Sequence, residues 1–131
     1  MTFEEATAKF EQNYKKYFGD GEIFRYDPDH ETEKKFVEDV SAIYEEYGFA
    51  SEFESPFDLY PDQKAHEGQS FKVLGRVEEG PDWDLESLPA WNIVFEDGFS
   101  MVAYPEEICR YYKEDDDRYE AFITSQYYGQ R

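Results

Sequence analysis

The chain has 131 residues, with 32 Asp and Glu against 13 Lys and Arg, a formal net charge of -19. Its one cysteine, Cys109, excludes an internal disulfide framework and any multi-cysteine zinc site, and the acid excess opposes direct contact with nucleic acid or anionic lipid. Aromatics make up 20% of the residues, with 12 Tyr, 12 Phe and 2 Trp, and they supply a core to a composition whose charge alone reads as disorder, because each buries roughly 150–250 Å².

Residues 3–18 read as a helix. Phe3, Ala6, Phe10, Tyr14 and Tyr17 follow the three-and-four spacing of one buried face. Thr2 with Glu5 has the form of a capping box, and Gly19 suits the C-terminal stop. Asp20-Gly21 makes a turn, and Glu22 to Tyr26 is a short extended piece. Residues 31–47 read as a second helix, with Asp29 as cap and Gly48 as stop. Phe36, Val40, Ile43 and Tyr47 form its apolar stripe, flanked by Val37 and Tyr44. Opposite the stripe sit Glu31, Glu38 and Glu45, seven apart.

Residues 49–69 read as irregular, broken by Pro56, Pro61 and Gly68. Phe49, Phe53, Phe57, Leu59 and Tyr60 are expected to tuck this stretch onto the body. From 71 to 104 the period changes to two. Phe71, Val73 and Val77 alternate with Lys72, Leu74 and Arg76; Trp91, Ile93 and Phe95 alternate with Asn92, Val94 and Glu96. Asp97-Gly98 signals a type I′ hairpin, with Phe99, Met101 and Ala103 on the return strand. Pro105 with Glu106 and Glu107 starts a short helix. A last helix is expected from about Arg118, with Tyr119, Phe122, Ile123 and Gln126 on one face.

The expected architecture is α+β over one compact domain, residues 1–131. A helical part covers 1–48, an irregular connection 49–70, and a β-rich part with a C-terminal helix 71–131. The N-terminal amphipathic helices pack on a small antiparallel sheet, either SH3-like or plain. Met1-Thr2-Phe3-Glu4-Glu5 is acidic, unlike a secretory signal, and no apolar run approaches a membrane span. The expectation is a soluble protein of the cytoplasm.

Catalytic and metal chemistry finds little to work with. His30 lies among Asp27, Asp29 and Glu31, but the glycine that an EF-hand loop needs is absent, and an acidic helix N-terminus accounts for the run. His66 reads as a loop surface residue. Cys109 lacks the Cys–His–Asx order of known nucleophile families and reads as a structural thiol. Asp115-Asp116-Asp117 is an oxygen-rich run that suits a solvated turn or cap. No enzyme, cofactor or metal is expected.

Binding is better supported. Residues 1–65 carry 17 acids and 7 bases, a net of -10, and residues 66–131 carry 15 and 6, a net of -9. The excess is therefore spread through the fold, where it repels itself on compaction, and a strongly basic partner surface would use it. Glu78, Glu79, Asp82, Asp84 and Glu86 place five acids in nine residues, with Trp83 in their midst. Duplex DNA shows about one negative charge per 1.7 Å of axis, and clustered carboxylates approach that density locally. A groove of Arg and Lys built for phosphates accepts carboxylates through charge-assisted hydrogen bonds. Trp83 reads equally as an aromatic anchor for a partner or as cover for the sheet. Glu38 and Glu45, then Asp115, Asp116 and Asp117, complete the expected partner-binding set.

In size and charge the chain resembles the small acidic inhibitors of phages and mobile elements, DNA mimics and anti-CRISPR proteins among them. Leu88-Pro-Ala-Trp-Asn-Ile-Val-Phe-Glu-Asp-Gly, followed by Ala103-Tyr-Pro-Glu-Glu-Ile, is similar to segments of short mobile-element proteins of gut bacteria. The resemblance implies a partner with a basic nucleic-acid-binding surface, such as a CRISPR effector or another defence nuclease, inside the host cell. An immunity protein or antitoxin that neutralises a basic toxin is the alternative, and an acidic surface adapted to salt is a third account.

Overall fold

A computed structural model describes residues 1–19, 29–55, 57 and 59–113. Helix α1 spans Phe3–Phe18. The Thr2 hydroxyl accepts from the Glu5 backbone N–H at 3.1 Å, satisfying one of the donors a helix start leaves open. Gly19 ends the helix at φ 68°, a conformation glycine adopts without a Cβ clash, and its N–H reaches the Lys15 carbonyl. Helix α2 spans His30–Tyr47. Asp29 caps it, its carboxylate accepting from the Thr32 N–H at 2.8 Å, and Gly48 closes it. The buried residues of α2 are Val37, Val40, Ser41, Ile43, Tyr44 and Tyr47. The two helices pack on each other, with Phe10 against Tyr44 and the Asn13 amide bonded to the Phe36 carbonyl.

Three strands, β1 (Phe71–Arg76), β2 (Trp91–Phe95) and β3 (Ser100–Ala103), form an antiparallel meander in chain order. Phe71 stands opposite Phe95, Val73 opposite Ile93, and Ile93 opposite Met101. Side chains alternate faces along a strand, so one face of β2, made of Trp91, Ile93 and Phe95, is buried while Asn92 is exposed.

The simple alternation expected along β1 does not hold. A bulge between Val73 and Gly75 leaves Leu74 as an extra residue, so that Gly75 pairs with Asn92 and Arg76 with Trp91. One extra residue shifts the phase of every side chain beyond it. Arg76 is therefore brought to the face that looks at α2, and Leu74 is left 59% exposed.

The hairpin also differs from its expected type. A type I′ turn needs positive φ at both central residues, and among the described residues only glycines have positive φ. Gly98 takes it at 89°, after a turn in which its N–H bonds the Phe95 carbonyl and Phe95 N–H bonds the Phe99 carbonyl. Glu96, Asp97 and Gly98 thus make a three-residue connection. The Asp97 side chain accepts from the Phe99 N–H at 2.9 Å and stabilises it.

Helix α4 (Pro105–Ile108) follows β3, as expected, and a 3₁₀ turn covers Arg110–Tyr112. The Glu107 carboxylate accepts from the Tyr104 N–H at 2.9 Å. Burial holds its carboxyl above the usual glutamate range. Backbone bonds from Ala50 to Ile108 and from Arg110 to Gly48 stitch this end of the chain to the exit of α2. Tyr111 then stacks on Phe3 at 4.5 Å, and the Tyr44 and Tyr112 hydroxyls meet at 2.8 Å. One buried cluster joins Ala6, Tyr44, Tyr47, Phe53, Trp91, Ile93, Ile108, Cys109 and Tyr111. At roughly 1.5–3 kcal/mol per buried large apolar side chain, these aromatics hold the two helices to the sheet. Cys109 is fully enclosed, which pushes its thiol well above the usual range.

The connection between α2 and β1 holds two surprises. It contains one short helix, α3 (Pro61–Lys64), and only part of its aromatic set packs inward. Phe53 is fully buried and Phe49 and Leu59 are half-buried, but Phe57 is 44% and Tyr60 78% exposed. A list of aromatics carries no period from which a direction can be read, which is why the expected tuck of these two fails. His66 is the opposite case: expected at the surface, it is buried. The expected helix from Arg118 lies outside the described residues.

Candidate partner-binding surface

Among the described residues, the segment that leaves β1 carries the densest run of acids, and local bonds give it a fixed shape. Val77 extends the sheet by one more bond, its N–H donating to the Ala90 carbonyl at 2.9 Å. Gly80 and Trp83 then exchange two backbone hydrogen bonds, at 2.8 and 3.3 Å, closing a turn with Pro81 and Asp82 at its tip. Asp84 caps the 3₁₀ turn Leu85–Ser87, accepting from the Ser87 N–H at 3.1 Å and from its hydroxyl at 3.0 Å. Leu85 is buried beneath this turn and roots it in the body. Glu86 lies within the same turn.

Glu78 and Asp82 are exposed at this loop. Glu79 reaches across to the first residue of α2, where its carboxylate meets the His30 imidazole at 2.5 Å. That contact ties the acidic loop to the start of α2; at this exposure it is worth at most about 1 kcal/mol. Trp83 is half-buried with its ring 6.2 Å from that of Tyr104. It therefore covers part of the body and keeps part of its surface outside.

The acids of α2 divide. Glu38 is exposed, and its charge acts on Arg76 only at a distance. Glu45 is used within the fold. Arg76 grips it with both Nε and Nη2, at 2.8 and 2.6 Å, and the Trp91 indole N–H donates to it at 2.9 Å. The Arg76 fork, together with the indole, holds the Glu45 carboxyl below the usual glutamate range against the opposing effect of burial. Both oxygens are occupied, so Glu45 is placed to join α2 to the sheet. Asp115, Asp116 and Asp117 lie outside the described residues.

Sequence reasoning missed the two side chains that organise these acids, Arg76 and His30. Gly75 was the available signal for the first, because an isolated glycine within a strand pattern suggests a bulge. His30 had no signal, since its partner is 49 residues away.

On its outer face the sheet carries a shallow depression of about 570 Å³ whose lining includes Leu74, Gly75, Asn92, Ser100 and Val102. Among the described residues no group of three or more His, Cys, Asp or Glu side chains is arranged to hold a metal ion. No described helix is long and apolar enough to cross a membrane. Compared with known proteins, the chain matches no family model, no curated protein and no solved structure.

Proposed function

We propose that this protein occupies the basic nucleic-acid-binding surface of another protein, a host defence nuclease such as a CRISPR effector, and keeps nucleic acid from it by charge mimicry. The observation that carries this reading is the 78–86 loop. Glu78, Glu79, Asp82 and Asp84 are displayed on a turn fixed by its own backbone bonds and by His30 and Ser87. A mobile acidic tail must be ordered when it binds, whereas a fixed loop avoids most of that entropic cost. Arg and Lys side chains set to hold phosphates accept such carboxylates through charge-assisted bonds. Glu38 widens the surface along the exposed side of α2, and the uncovered part of Trp83 supplies an aromatic contact. Glu45 is left out because Arg76 and Trp91 already occupy it.

The test is capture of partners on the tagged protein, eluted in turn by duplex DNA, by RNA and by salt near 1 M, where charges are screened beyond about 3 Å. A nucleic-acid enzyme displaced by DNA or RNA, and lost from a Glu78→Lys, Glu79→Lys, Asp82→Lys variant, supports mimicry. A small basic toxin that nucleic acid does not displace favours the immunity reading. Retention of the partner by the folded triple variant would overturn the assignment of this loop.

A further inference from the structure

His66 follows α3 and is 7% exposed. Its ring lies between two aromatics, 4.5 Å from Phe99 and nearly parallel to it, and 4.5 Å from Phe95. Nδ1 is 2.6 Å from the Asp62 carbonyl oxygen, and Nε2 is 2.7 Å from an Asp97 carboxylate oxygen. A carbonyl and an ionised carboxylate can only accept, so each ring nitrogen must bring a hydrogen, and a neutral imidazole has only one N–H. The set of contacts is complete only for the imidazolium. Asp97 is kept ionised by the Phe99 N–H and then by His66 itself, which together hold its carboxyl below the usual range. Among the described residues, the charges acting on the ring are the carboxylates of Asp62 on α3 and Asp97 on the hairpin, while Phe95 of β2 and Phe99 of the hairpin connection face it as aromatics. Lys64 and Glu67, its neighbours in sequence, are exposed.

We propose that His66 is a protonation-dependent latch, in which the imidazolium clamps α3 to the β2–β3 hairpin and the neutral ring releases it. None of the four residues of α3 is buried, which leaves His66 as the buried attachment of this turn. Tyr60, 78% exposed at the N-cap of α3, is the side chain whose presentation the latch would govern. The Asp62 carbonyl, and after it Asp97, raise the affinity of the folded ring for its proton. A group raised in the folded state adds stability that is complete below its unfolded value, about 6.5 for histidine, and that is lost as pH rises through the folded value. The latch is closed on the acid side and opens on the alkaline side.

The test is an NMR titration of the two imidazoles from about pH 5 to about pH 9, a range centred on histidine's own, with a His30→Gln variant to assign them. Hydrogen exchange at the amides of Lys64, Ala65 and His66, which donate to the carbonyls of Tyr60, Pro61 and Gln63, is followed in parallel. The expected result is a His66 midpoint above about 6.5, with protection of those amides, corrected for intrinsic rates, falling by up to about tenfold per pH unit between 6.5 and the midpoint. Asp97→Asn should lower the midpoint, and His66→Gln should abolish the pH dependence of protection. A wild-type midpoint at or below 6.5, or protection that stays flat through the His66 transition, overturns the latch.

Discussion

Glu45 on α2 and Glu78 at the exit of β1 are both glutamates close to the same strand, yet they meet opposite surroundings. Glu45 faces a guanidinium and an indole N–H and joins helix to sheet. Glu78 is exposed on a loop whose shape is set by its neighbours. The difference comes from what each carboxylate meets: Glu45 lies opposite the one strand position where the bulge turns an arginine inward. An acidic chain can therefore use some of its charge for folding and leave other carboxylates exposed, and the structure separates the two populations.

The comparison can be broken most forcefully at Trp91, the fully buried wall against which Glu45 is held. Trp91→Ala should cost about 3–5 kcal/mol, combining lost burial with a cavity, and should show as a large drop in the urea midpoint. Glu45→Ala should cost about 1–2 kcal/mol, because it leaves Arg76 and the indole N–H without their acceptor at a partly exposed site. Removing Leu74 is expected to do less harm than Glu45→Ala. The deletion leaves a regular ladder in which Arg76 still faces Trp91, so retention of the Arg76–Glu45 bond would confirm that the bulge residue itself is dispensable. If Arg76 turns outward instead, the register argument fails.

The pH dependence sharpens the same contrast. Arg76, and after it the indole, depress the Glu45 carboxyl in the folded state. Its stabilisation is present above the unfolded glutamate value of about 4.3 and is lost as pH falls through the lower folded value. Glu45→Gln should flatten that part of the acid stability curve, measured by urea melts at successive pH values. The smallest expected effect on stability belongs to the loop. Glu78→Lys and Asp82→Lys should each shift unfolding by about 0.5 kcal/mol or less, as surface substitutions do, while removing salt-sensitive partner binding. A large destabilisation would mean that these acids, too, serve the fold.

The boundaries of α1 and α2, their caps at Thr2 and Asp29 and their stops at Gly19 and Gly48 were legible in the sequence. Each depends on groups three or four residues apart. The buried faces of α2 and β2 were legible for the same reason, since periods of 3.6 and 2 are local properties of the chain. The concentration of acids at 78–86 could be read directly as well. Which of the acids stay free could not. The use of Glu45, the tether from Glu79 to His30, the burial of His66 and the exposure of Tyr60 all depend on partners 29 or more residues away or on how little the described residues cover a side chain. Only the tertiary structure fixes these, because whether Leu74 is looped out of the ladder decides which face Arg76 takes. Whether a charged side chain folds the protein or remains available to a partner follows from what that packing sets opposite it.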